Sequence, residues 1–280
     1  MILVTSAGGK TGLAVTAALE AAGEPVRALR RTPGAVPGAT EVVSGNVADL
    51  GPHLDGVRAV YLIWPNFTEG EADGVGAAID ACRAAGVERF VYHSVLHPHV
   101  RAMPHHWDKA DAEEALFESG LAFVSLQPGA YMDNIGGQAP GIAASGRLES
   151  PWGLEARQSL VDLADVAEVA VRACRDDAMV GGCFELCGPE ALDAGDLAVR
   201  LTEAFGVDVD AIDIGSTGWG EAARDGGMTA YACRCGMLMA DHYRDHGFCG
   251  SDVVLRALLG REPTTFAAWA ARLARSHRAA

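Results

Sequence analysis

The feature that most constrains this chain stands at its beginning. Ile2-Leu3-Val4-Thr5 is a short apolar, β-branched run; it enters Ser6-Ala7-Gly8-Gly9-Lys10-Thr11-Gly12, after which apolar residues recur at helical spacing to Ala22. A buried strand that turns through glycines directly into a helix is the opening unit of a dinucleotide-binding fold. In such a turn the first glycine makes the tight bend. The second lets the backbone approach a pyrophosphate, and the third lets helix and strand pack closely. The helix N-terminus then offers N–H groups to the phosphates. Here the spacing is Ser6-x-x-Gly9-x-x-Gly12, with Gly8 additional. The second and third roles are filled. The first falls on Ser6, whose Cβ is penalised if the bend needs a positive φ, and whose hydroxyl is an expected donor to phosphate. Lys10 and Thr11 complete the loop, with Lys10 as a further phosphate contact.

Strands and helices then alternate. Pro25–Arg31, Glu41–Ser44, Ala59–Ile63, Arg89–His93 and Ala122–Gln127 read as strands, and Gly74–Ala85 and Asp108–Ser119 as helices that end at Gly86 and Gly120. That pattern predicts an α/β fold: a doubly wound, parallel-sheet Rossmann arrangement with crossover helices on both faces. Beyond Tyr131 the pattern is irregular. Leu163–Arg175 and Ala194–Ala204 read as helices with the apolar run Cys183–Leu186 between them, and the last eighty residues are mostly helical. No repeat or long linker divides the chain. The expectation is a single domain over residues 1–280, with a Rossmann core mainly in 1–135 plus part of 158–190. A smaller C-terminal substrate lobe is expected mainly in 136–157 and 190–280.

The end of the second strand bears on which dinucleotide binds. An acid there binds the ribose 2′-hydroxyl of NAD, whereas arginine accommodates the 2′-phosphate of NADP. This chain carries Arg30 and Arg31 and no acid, so the expected cofactor is NADP(H). The net charge of −15 makes the pair more informative, and it argues against a nucleic-acid partner. Lysine occurs only at Lys10 and Lys109 while arginine is abundant, which draws attention to both as sites needing a compact ammonium. No stretch reads as a signal peptide or a membrane span. The seven cysteines include no Cys-x-x-Cys pair and read as reduced thiols of a cytoplasmic protein.

With these pieces placed, the chain resembles the NmrA-like family of the atypical short-chain dehydrogenase/reductase superfamily. The resemblance spans nearly the whole length. It rests on LVTSAGGKTG, VRALRR, ERFVYHSVLHP, HHWDKADAEEALFESGLAFVSLQPGAYMDNI, LVDLADVAEVAVRA, FELCGPEAL and HGFCGSDVVLRALLGREPTTF. It implies a Rossmann core, a small C-terminal lobe and a substrate cleft between them. It also implies either NADP(H)-dependent reduction of quinones and other conjugated carbonyls, or redox sensing without turnover. Ser94 matches the superfamily position that hydrogen-bonds a substrate carbonyl. Lys109 matches the lysine of the Tyr-x-x-x-Lys pair that orients the nicotinamide ribose, with His105 where the tyrosine would stand. Asn46 replaces an acid that commonly meets the adenine side.

The segment from His93 to Lys109 also holds His97, His99, His105 and His106. Histidine titrates near neutrality, so His105 or His97 is a candidate proton donor. In this segment no His-x-x-x-His pair set on a helix, nor a clear carboxylate partner, supports a metal, and none is expected. Trp64, Asn66, Tyr131, Met132, Asn134 and Trp152 fall at or after strand ends, where open α/β sheets bind ligands. Of these Trp64, Tyr131 and Asn134, with His97, are the substrate-side candidates, and Trp152 is expected to pack internally. Asp162 and Asp165 read as caps of the helix that follows, and the amphipathic segment FAAWAARLARSH as docked on the body rather than on a membrane.

Three functions are thus in play. The first is an NADP(H)-dependent oxidoreductase of a small conjugated carbonyl or quinone-like substrate, with Lys109, Ser94 and His105 as its catalytic candidates. The second is an NADP(H)-binding sensor or regulator without turnover, suggested by the missing tyrosine. The third is a redox-neutral isomerase, cyclase or lyase, suggested by Ser6 and Asn46. The expected partner is a small-molecule substrate, and the sequence neither requires nor excludes a homodimer.

Overall fold

The computed structural model describes residues 1–279. In chain order the elements are β1 (Ile2–Val4), α1 (Lys10–Ala21), β2 (Val26–Arg30), β3 (Glu41–Ser44), β4 (Ala59–Leu62), α2 (Glu71–Ala85), β5 (Arg89–His93), α3 (Pro104–Glu118), β6 (Phe123–Pro128), α4 (Asp133–Gly136), α5 (Ala139–Ser145), β7 (Arg147–Ser150), α6 (Leu163–Ala173), β8 (Cys183–Leu186), α7 (Ala194–Phe205), β9 (Asp210–Asp213), α8 (Gly215–Asp225), α9 (Ala230–His246), α10 (Val253–Leu259) and α11 (Phe266–Ala279). They fall into two compact units. The first comprises residues 1–100, 105–127 and 163–184; the second comprises 101–104, 128–162 and, among the described residues, 185–279.

The first unit is built on a seven-stranded sheet of order β3-β2-β1-β4-β5-β6-β8. β1 to β6 pair in parallel, with Leu3 opposite Arg27 on one side and Val60 on the other. The strand order reverses direction between β1 and β4, which makes the carboxyl edge there the switch point where open α/β sheets take ligands. β1, β4 and β5 are buried along their whole length, as parallel strands covered on both faces must be. On one face Leu3, Leu29, Val60, Leu62, Phe90 and Tyr92 pack with Val75, Ile79 and Cys82 of α2 and Ala112 and Leu116 of α3. α1 packs against α6 and contacts β1 and β2. α2 and α3 start three and four residues earlier than the apolar periodicity indicates. The early turns are polar, so the pattern does not announce them, yet they carry side chains of the site described below.

In the second unit, β7 and β9 form a separate parallel pair, Leu148 opposite Ala211; neither strand was evident from the sequence. Met132, Ile135, Ile142, Leu148, Leu160, Leu197, Leu201, Phe266 and Trp269 make its core. The C-terminal amphipathic helix is docked, with Phe266, Trp269, Ala270 and Ala274 buried. Asp162 accepts a hydrogen bond from Arg272 Nη2 at 2.7 Å.

Candidate active site

The glycine loop is held by its backbone. Ala7 N–H donates to Leu29 O at 2.9 Å, and Gly9 N–H to Ser6 O at 2.9 Å. Ser6 has φ of 47°, so the first position of the loop does adopt the left-handed bend that favours glycine, and serine bears a strain of about 1–2 kcal/mol there. Its hydroxyl donates to Ile63 O at 2.9 Å, beside Thr5 Oγ1, which reaches the same carbonyl at 2.9 Å. The Ser6 hydroxyl, expected as a donor to phosphate, here donates to a main-chain carbonyl. It ties β1 to the end of β4 and offsets part of the strain of the bend.

Gly12 is required sterically. A Cβ there would lie 2.5 Å from both Ala7 Cα and Ser6 O. At Gly9 the corresponding distance to Ser6 O is 3.3 Å. Gly9 is the N-cap of α1, no side chain caps the helix, and its first turn carries no acid. Those are the conditions under which a helix N-terminus accepts an anion. Lys10 is exposed and Thr11 half-buried at the rim of this turn.

Arg30, at the end of β2, folds over the loop. A Cβ on Gly8 would meet its Cζ at 3.2 Å, and one on Gly34 its Nη1 at 2.6 Å. Nη1 donates to Ala35 O at 2.8 Å, and the buried Nε has no hydrogen-bond partner. The guanidinium thus sits between two glycines beside the phosphate turn. Arg31 and Asn46 are exposed at the ends of β2 and β3, where Asn46 Oδ1 accepts from Ala48 N–H at 3.1 Å.

Past the switch point, the ends of β4 and β5, the first turn of α2 and the second turn of α3 bring together a buried polar group. Lys109 Nζ donates to Glu71 Oε1 at 2.6 Å and lies 3.4 Å from His93 O. Tyr92 Oη donates to the same Glu71 oxygen at 2.6 Å. The side chains of Lys109 and Glu71 are 9% and 5% exposed. Burial and then the Glu71 carboxylate push the Tyr92 hydroxyl well above its usual range, so it stays a donor. Glu71 was not singled out from the sequence. An acid in a first helical turn ordinarily reads as a solvated partner of the helix dipole.

Ser94 follows β5 and is buried, and its hydroxyl has no partner. His105 stacks edge-on against Phe67 at 4.7 Å and against His106 at 4.6 Å, and its Nδ1 has no partner. Burial, then the neighbouring His106 and Lys109, lower its pKa to about 2. That environment favours the neutral imidazole, in place of the group titrating near neutrality that the sequence led one to expect. His93 is likewise lowered to about 3 by burial and then Lys109, and its Nδ1 lies 2.7 Å from Tyr61 Oη. His97 has φ of 54°, and its carbonyl accepts from His106 Nδ1 at 3.2 Å. The Trp64 indole packs on α2 where Gly74 leaves room, a Cβ there falling 2.0 Å from its ring, and its Nε1 is also buried without a partner. Tyr131 and Asn134 belong to the second unit. Tyr131 bridges Val161, and Asn134 is exposed in α4. Trp152 packs edge-on against Tyr243 at 6.4 Å.

The residues present fit a dinucleotide. A glycine cradle, an uncapped helix start and an arginine seated between glycines stand along one half of the carboxyl edge. Buried polar atoms without internal partners stand along the other. A family model described as NAD(P)H-binding matches residues 6–177. The chain belongs to the NAD(P)H-binding family. A (4-alkanoyl-5-oxo-2,5-dihydrofuran-3-yl)methyl phosphate reductase of Streptomyces griseus is 32% identical to this family member over 97% of each chain. The crystal structure of an NADPH-dependent quinone oxidoreductase of Escherichia coli, complexed with NADPH, superposes with a TM-score of 0.81 at 25% identity, covering 98% of this chain and 99% of that one. A mutant NmrA superposes with a TM-score of 0.77 at 16% identity, a likeness of fold. The expected Rossmann architecture and membership of an NAD(P)H-binding family are borne out, and the likeness to NmrA holds at the level of the fold. Among the described residues no group of His, Cys, Asp or Glu is arranged to hold a metal, and no helix is long and apolar enough to cross a membrane.

Proposed function

We propose that this protein is an NADP(H)-dependent oxidoreductase that reduces a small conjugated carbonyl or quinone-like acceptor. The observation that carries the reading is the set of buried polar atoms without internal partners, Ser94 Oγ, His105 Nδ1 and Trp64 Nε1, borne on the segments that follow β4 and β5. Buried polar atoms are almost always satisfied, and a ligand with polar edges at this end of the sheet satisfies them. Gly9 and Gly12 leave room for a pyrophosphate at the start of α1. Arg30, with Arg31 beside it, meets a 2′-phosphate. Lys109 donates to the nicotinamide ribose, and Ser94 donates to the acceptor oxygen. When bound, the reduced nicotinamide supplies a hydride.

The proton chemistry narrows the acceptor. Neither His105 nor His93 is protonated near neutrality, and Tyr92 is committed to Glu71. His105, His93 and Tyr92 therefore offer hydrogen bonds rather than an acidic proton. Acceptors whose reduced form spreads negative charge over a conjugated system need only that, the proton being taken from water. A furanone phosphate reductase and a quinone oxidoreductase among the relatives act on acceptors of this kind.

Binding without turnover is the second reading, favoured by a neutral His105 where the tyrosine would stand. The redox-neutral reading loses support, because Ser6 keeps the bend of the loop. Titration of nicotinamide fluorescence with NADPH and NADH, followed by NADPH oxidation with menadione and with conjugated enones, tests the proposal. NADPH binding tighter than NADH, with oxidation by at least one acceptor, is expected. Binding without oxidation across the panel overturns the oxidoreductase in favour of the sensor, and absence of binding overturns both.

A further inference from the structure

We infer that Glu71 is a positioning residue that sets Lys109 for its work on the dinucleotide; this rests on the functional reading above. Three observations carry it. First, one carboxylate oxygen receives two donors from different elements, Tyr92 Oη of β5 and Lys109 Nζ of α3, each at 2.6 Å. The ammonium is thereby held beside the His93 carbonyl, 3.4 Å away, one residue before Ser94. Second, the pair is almost wholly buried. A buried ion pair gives little net stability over apolar side chains of the same volume, so packing alone does not account for it. Third, Lys109 is one of two lysines in an arginine-rich chain, and arginine's planar fork would not fit a single-oxygen, two-donor arrangement in the same way.

The placement follows from the local fold. Gly70 has φ of 77° and starts α2, which turns Glu71 inward at the first helical position. There the helix N-terminus also favours the carboxylate. Four residues before Lys109, the superfamily tyrosine is replaced by His105, which has no bond to Lys109 in the structure and is neutral. The hydroxyl partner of the lysine's neighbourhood is instead Tyr92, and it reaches the lysine through Glu71. Lys109 thus presents a hydrogen-bonding ammonium whose charge is balanced within the protein.

A double-mutant cycle tests this: wild type, Glu71→Gln, Lys109→Met and the double variant, with Glu71→Asp as the conservative change. Each is read by NADPH dissociation constant, by kcat and KM with menadione, and by thermal midpoint. Lys109→Met leaves a buried carboxylate without its countercharge and should lower the midpoint most. The double variant, with no charge left in the pair, should regain most of that loss. Glu71→Gln in the wild-type background should lower kcat/KM about tenfold or more, since displacement of a positioning group by ~1 Å costs about a hundredfold. In the Lys109→Met background it should change kcat/KM less than about twofold, because its action passes through the lysine. Glu71→Asp, which keeps the charge, should retain more activity than Glu71→Gln.

Equal activity of Glu71→Gln and wild type below the melting range overturns the inference. So does an equal loss in both backgrounds, and so does activity that recovers with the midpoint in the double variant. If no acceptor is turned over, the same cycle read as NADPH affinity decides, with an equal constant for Glu71→Gln and wild type overturning the role of Glu71. Failure of the wild type to bind NADPH instead overturns the functional reading on which the inference stands.

Discussion

Replacing Gly12 by alanine separates the two properties of the glycine loop, its stability and its ability to seat a ligand. The added Cβ would lie 2.5 Å from Ala7 Cα and from Ser6 O, and 3.0 Å from Ala7 C, all of them backbone atoms. Carbon atoms in contact sit about 3.5–4.0 Å apart, so helix and loop must part by about 1 Å. The loop resists, being pinned by Ala7 N–H on Leu29 O, Gly9 N–H on Ser6 O and Ser6 Oγ on Ile63 O, each at 2.9 Å. Overpacking of this kind costs about 1–3 kcal/mol. Alanine's better helix propensity returns about 1 kcal/mol. The net loss of roughly 0–2 kcal/mol corresponds to a melting-point drop of at most several degrees, at roughly 2–4 °C per kcal/mol. The effect on ligand binding is larger, because parting α1 from the loop by ~1 Å weakens the N–H bonds to a charged phosphate, each worth about 1.5–3 kcal/mol, or roughly ten- to a hundredfold. Calorimetric or fluorescence titration with NADPH, run beside a thermal melt, measures both. The expected result is a folded protein with NADPH affinity lowered about ten- to a hundredfold. Gly76→Ala serves as the control: nothing lies within 4 Å of its Cβ position, so the variant should gain about 0.5–1 kcal/mol and bind normally. A Gly12→Ala protein that binds NADPH like the wild type refutes the argument that close approach of α1 to the loop shapes the cradle.

Arg30→Ala removes the guanidinium between Gly8 and Gly34 and should weaken NADPH about ten- to a hundredfold, the worth of a charge-assisted hydrogen bond, while leaving NADH nearly unchanged; a parallel loss for both dinucleotides would refute the 2′-phosphate assignment. His93 and His105 have folded pKa values of about 3 and about 2 against 6.5 for the free side chain. The unfolded chain therefore binds more protons below 6.5, and the stability due to burying them neutral is complete above that pH. It drains by about 1.4 kcal/mol per pH unit for each group as pH falls toward the folded values. Melting curves between about pH 7 and about pH 5 should show that decline, and His105→Gln should flatten it; a variant with the wild-type slope would contradict the assignment. Ser6→Gly removes left-handed strain of about 1–2 kcal/mol but also the bond to Ile63 O and some rigidity. The midpoint should move little and NADPH affinity should hold, and a large loss of affinity would show that the hydroxyl has a direct part in binding.

Much of the first unit was legible in the chain because its elements are short, buried and closed by strong punctuation. β3, β5 and β8 coincide with the runs read from the sequence, and helix ends fall at Gly86 and Ser119–Gly120, where glycine or polar residues stop the pattern. β7 and β9 were not legible. Their four-residue alternation is too short to stand out, and they exist because each pairs with the other across about sixty residues of chain.

The sequence by itself determined the architecture, the glycine cradle and the arginine at the end of β2, because spacing and residue type act there over a few neighbouring positions. It also indicated Lys109 and Ser94. What those groups experience was decided only by tertiary structure. Whether Ser6 bends left-handed, where its hydroxyl goes, that His105 is neutral, and that Glu71 faces inward to meet Lys109 and Tyr92 all depend on residues distant in sequence. The reason is physical: hydration, charge compensation and the protonation of a buried group are set by what surrounds it in space, and for this site the surroundings come from β1, β4, β5, α2 and α3 together.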